Sequence, residues 1–121
     1  MSQFALICVG GAVGTGVRYL TGLLAVHWLG AGFPYGTLAV NLAGAFLIGL
    51  AQQLAGALIP EAVRLFLVVG VLGGMTTYSA FTFETVRLIE EGEAVAALRN
   101  VFGTIATCAA AAAVGLAIAT L

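Results

Sequence analysis

Hydroxyl, amide and aromatic groups gather in and around one stretch, Gly73-Gly74-Met75-Thr76-Thr77-Tyr78-Ser79-Ala80-Phe81-Thr82-Phe83-Glu84. Thr77 and Ser79 bring hydroxyl donors to it. Tyr78 and Phe81 stand three apart, so on a helix their rings share a face. An aromatic ring carries a positive edge, which favours an anion without trapping it. Asn41 adds an amide one helical turn beyond Thr37, on the same face. Asn100, Thr104 and Cys108 recur every four residues, with Thr107 adjacent. Together these neutral groups suggest an anion path. Each also has a plainer reading: an amide glues helices, a threonine bonds its own preceding turn, and two rings pack.

The same stretch is poor helix material, because two glycines precede two threonines. In lipid, irregular backbone survives only where it is buried in protein or lines a wet cavity. A break near 73–77 would present bare carbonyls to a cation and a half-helix N-terminus to an anion. Arg18 lies far from either end of its own apolar run. A charge there faces a cavity, a pathway or a partner, so we assign it to a vestibule or to a salt bridge with Glu84.

These groups sit in a chain built for the bilayer. Of its 121 residues, 62% are hydrophobic and 7% charged, with mean hydropathy +1.16. A spanning helix needs about 20 apolar residues, so the length accommodates roughly four. We expect an all-α fold, a single four-helix transmembrane domain over 1–121, with spans at 4–26, 35–59, 62–89 and 95–121 and the third broken at its centre. The turn 27–34 carries Trp28 at interface level. The start lacks the positive region of a signal peptide. The net charge of −1 and the absence of a basic run argue against a nucleic-acid partner. His27 has no acid or nucleophile beside it, which argues against an enzyme. Cys8 and Cys108 read as small buried hydrophobes rather than as a disulfide or metal ligands.

Small residues mark tight packing. Gly10 and Gly14 form one pair, Gly44, Gly49 and Gly56 follow in the second span, and alanines fill 109–113. Orientation is weakly specified. With four spans, Arg64 counts for one side and Arg87 and Arg99 for the other. Such a chain can insert both ways and pair antiparallel, unless a partner protein fixes it.

The string from Gly73 to Phe81, followed by Glu84, resembles the signature of the Fluc (CrcB) fluoride channels. Gly10-Gly11-Ala12-Val13-Gly14 with Arg18-Tyr19 is similar to that family's first helix. Gly36-Thr37-Leu38-Ala39-Val40-Asn41-Leu42-Ala43-Gly44 is similar to its second. The chain departs from the family at Tyr78, usually phenylalanine, and at Ala80, usually threonine or similar.

The resemblance implies an antiparallel, dual-topology homodimer in a prokaryotic inner membrane, surrounded by lipid, with two passive fluoride pores. It implies a sodium ion on the dimer axis, held by the carbonyls of Gly73 and Thr76. Ring edges of Tyr78 and Phe81 would meet fluoride, with Asn41 and Ser79 donating. Thr37, Thr104 and Cys108 would line the track, and Arg18 would draw anions to the mouth. Fluoride is strongly hydrated, so several donors must replace its water while leaving it free to go. Two other classes fit the span count: a small multidrug-resistance-type proton-coupled transporter, and a non-conducting membrane subunit. The first needs a carboxylate in the membrane, typically in the first span, which has none here. The second needs neither a helix break nor an aligned polar track.

Overall fold

Lipid offers no hydrogen-bond partner to a backbone, so apolar runs of this length close their bonds internally as helices. The computed structural model describes residues 2–55 and 58–121. Among the described residues, four helical runs are long and apolar enough to cross a membrane, and no strand occurs. The protein is an integral, multi-pass membrane protein.

Helix α1 covers Gln3–Leu29, and Ser2 opens it by accepting from the Ala5 N–H at 3.2 Å. It ends at Gly30, whose φ of +83° suits glycine. His27 and Trp28 therefore belong to the last turn of α1 and not to the loop expected at 27–34. Helix α2 covers Tyr35–Leu54. It stops short of Ile59, because Ala55 turns extended at ψ 146°. Gly56 lies outside the described residues.

The third span, Glu61–Glu90, is the irregular one. It starts as α3 (Glu61–Arg64), widens into π-type turns over Leu65–Leu72, and tightens again in α4 (Gly73–Met75). The Gly73 N–H reaches back to the carbonyl of Val68, the longer π spacing. Thr76 is extended (φ −80°, ψ 154°), and helix resumes as α5 (Ser79–Glu90). The paired glycines are thus still helical. The pause falls after them, at Thr76–Tyr78. Gly92, with φ +80°, turns the chain into α6 (Ala94–Ala119).

Two close helix pairs hold the bundle, and each rests on glycine. Between α1 and the third span, Gly10 lies against the Phe66 carbonyl and Gly70, and Gly14 against the Val71 carbonyl. Between α2 and α6, Gly49 lies against the Ala112 carbonyl and Gly115 against that of Phe46. A Cβ at any of these glycines would collide with backbone. Without a hydrophobic drive between helices, such close approach supplies the association through dispersion. Both cysteines are free, but Cys8 is exposed on α1 and Cys108 half-buried, so neither is the buried hydrophobe expected.

Candidate functional site

The geometry at Thr76–Tyr78 follows from one side chain. Asn41, on α2, accepts from the Thr77 N–H through Oδ1 at 2.7 Å and donates from Nδ2 to the Thr77 carbonyl at 2.9 Å. In a continuous helix the Thr77 N–H would bond the Gly73 carbonyl, four residues back. The Ala80 N–H would likewise bond the Thr76 carbonyl. It goes instead to Thr77 Oγ1 at 3.2 Å, an N-cap bond for α5. Gly73 and Thr76 therefore lose their helical amide partners. The Gly74 carbonyl is taken from the other side, by Arg18 Nε at 3.2 Å.

A cavity of about 420 Å³ opens beside this pause. Asn41, Gly73, Thr76, Tyr78, Phe81, Thr104 and Cys108 all line it, contributed by α2, the third span and α6. The two rings stand 6.0 Å apart, tilted by 50°. They differ sharply in environment: Phe81 is 8% exposed and Tyr78 76%. Phe81 is anchored in the protein, whereas Tyr78 lies on an open surface of the single chain.

Three expected residues lie outside this cavity. Thr37 donates to Glu84 Oε1 at 2.6 Å and borders a smaller cavity of about 170 Å³ with Glu84 and Arg87. Ser79 sits on the first turn of α5, 3.3 Å from Thr77 Oγ1. Arg18 is bound to Gly74, and no ion pair between Arg18 and Glu84 occurs among the described residues. The carboxylate has Thr37 instead.

A buried polar chain ties the cavity wall together. Thr85 donates to the Phe81 carbonyl at 2.8 Å, Asn100 Nδ2 donates to Thr85 Oγ1 at 2.9 Å, and Thr104 donates to Asn100 Oδ1 at 3.3 Å. Asn100 is 2% exposed. Thr85 was not singled out in the sequence, and Asn100 only as part of a spacing. Thr85 stands one turn beyond Phe81, and a polar residue inside an apolar run needs a partner. Those two facts were the available signal.

The chain matches the family model described as "CrcB-like protein, Camphor Resistance (CrcB)" over residues 5–116. The protein belongs to the CrcB family. It is 45% identical over 114 residues to a "Fluoride-specific ion channel FluC" of Anaeromyxobacter dehalogenans, covering 93% of this chain and 90% of that one. A protein of the same name from Thermus thermophilus is 50% identical over 107 residues, covering 87% and 85%. One from Geobacter metallireducens is 46% identical over 112 residues, covering 91% and 90%. CrcB relatives carry an ion-channel name and not an enzyme's.

Proposed function

We propose that this protein is a fluoride-selective channel that lets the ion leave the cytoplasm passively, through two pores of an antiparallel homodimer. The observation that carries the reading is the convergence of Asn41, Tyr78, Phe81, Thr104 and Cys108 on one cavity beside an interrupted membrane helix. The relatives' shared name supports the ion.

The wall chemistry suits such an ion. The Asn41 Nδ2 carries two hydrogens, of which Thr77 uses one. The other serves as a donor beside the rings. Phe81 offers a ring edge fixed by packing, and Tyr78 offers one that a second subunit would cover. None of these groups carries a formal charge, so binding stays weak enough for release. The Thr104 hydroxyl is committed to Asn100. It must rotate from that bond to donate to an ion. Ser79 extends the track beyond the cavity, Thr37 borders the track with its hydrogen committed to Glu84, and Arg18 raises the local concentration of anions near its mouth.

A structural sodium ion belongs to this reading. The donor set fits it: Gly73 and Thr76 have carbonyls without helical amides, and no cluster of His, Cys, Asp or Glu able to hold a metal occurs among the described residues. Neutral oxygens suit a monovalent cation, whereas calcium typically takes carboxylates. Two carbonyls from each subunit would supply four ligands. When bound, the ion adds positive charge that ties two subunits together.

The test is fluoride and chloride efflux from liposomes that contain only the purified chain. Fluoride should discharge and chloride remain. Discharge of both ions, or of neither, refutes the reading.

A further inference from the structure

We propose that Asn41 is a positioning residue that sets where the third span is interrupted and so frees the Gly73 carbonyl, while Thr77 Oγ1, held beside it, takes the Ala80 N–H and frees that of Thr76. Three observations support this. First, its amide meets both the N–H and the C=O of one residue, Thr77, at 2.7 and 2.9 Å. An amide side chain paired this way imitates a neighbouring peptide group, and it supplies both bonds that a helix would otherwise give that residue. Second, the bond it takes is the one that would cover the Gly73 carbonyl. Third, the partner is held from below: Gly44, one turn along α2, lies so close to Thr76 Cγ2 that a Cβ there would collide with it. Asn41 and Gly44 together seat the extended Thr76 against α2. Arg18 meanwhile occupies the Gly74 carbonyl, which removes that oxygen from the set left without a helical amide.

The consequence is a division of labour within one side chain. Oδ1 and one Nδ2 hydrogen hold the backbone, and the second hydrogen is left for the cavity. The proposal about backbone stands apart from fluoride transport, but the cation consequence rests on the sodium reading above.

Amide hydrogen exchange of the reconstituted protein tests the clamp directly. The Thr77 N–H should exchange slowly in the wild type. Asn41→Leu, which keeps the volume and removes both bonds, should accelerate it by about tenfold, the worth of one hydrogen bond. Asn41→Asp keeps the acceptor and should retain the protection. A fast Thr77 amide in the wild type, or equal protection in Asn41→Leu, overturns the proposal.

Thermal unfolding of the same proteins in sodium and in a large organic cation separates the two readings. A sodium-dependent midpoint in the wild type that Asn41→Leu loses supports the proposal. A dependence that survives unchanged in Asn41→Leu overturns its cation consequence. A wild type indifferent to sodium refutes the sodium site, and exchange at Thr77 then decides the clamp alone.

Discussion

Thr37 Oγ1 donates to Glu84 Oε1 at 2.6 Å, across 47 residues of sequence. The bond joins the first turn of α2 to the middle of α5 and uses the only hydrogen the Thr37 hydroxyl has. Thr37 therefore presents lone pairs and a methyl group to anything passing. Thr37→Val keeps the shape and removes this bond to a carboxylate, at a cost of about 1–2 kcal/mol in stability. Fluoride flux should fall by less than about threefold, well under the tenfold that 1.4 kcal/mol represents. A complete block, measured by liposome efflux, would mean that the hydroxyl itself handles the ion.

Phe81 is the ring most firmly held in the cavity wall, and Phe81→Ile should stop flux while assembly persists. The branched chain fills similar space without a ring edge, so the loss in stability should stay within about 1.5 kcal/mol. Flux at the original rate would make Phe81 a packing residue. Tyr78→Phe should hold or raise flux, because the exposed tyrosine makes no hydrogen bond through its hydroxyl among the described residues.

Glycines at the two close helix pairs should be intolerant, and those facing open space with ordinary φ, such as Gly16, indifferent. Gly14→Ala drives a methyl into the Val71 carbonyl, and Gly115→Ala into that of Phe46. Each should cost about 1–3 kcal/mol. Gly16→Ala meets nothing within 4 Å in its own chain and should gain about 0.5–1 kcal/mol of helix stability. Thermal denaturation of detergent-solubilised protein ranks the three. Gly73 is a separate case. Its added Cβ would meet the Val68 carbonyl at an ordinary 3.6 Å and no other helix of its own chain within 4 Å. Any loss of dimer in Gly73→Ala then reports the partner subunit.

Topology should be dual. Arg64 on one side faces Arg87 and Arg99 on the other, too small a bias to orient the chain. A reporter fused to the C-terminus should appear in both compartments in comparable amounts. Labelling on one side alone removes the antiparallel homodimer.

The apolar runs and their approximate ends were legible from the chain alone. Lipid makes hydropathy decisive, since a spanning backbone must satisfy itself locally. The glycine pairs of α1 and α2 were legible for the same reason: small residues have few other uses in a membrane helix. Family membership was legible in three motifs. What only the tertiary structure decided is which distant groups meet. Asn41 pairs with Thr77 across 36 residues, and Arg18 with Gly74 across 56. The sequence showed an amide and a charge in apolar runs but could not assign their partners, and the salt bridge it suggested between Arg18 and Glu84 did not form. It placed the break near 73–77 but could not say where in that window, and the structure puts it after the glycines, at Thr76–Tyr78. Helix propensity is a local term of up to about 1 kcal/mol for glycine, while a side-chain amide from another helix can replace two backbone bonds. The interruption therefore lies where Asn41 reaches, at Thr77, and not where the chain is intrinsically weakest.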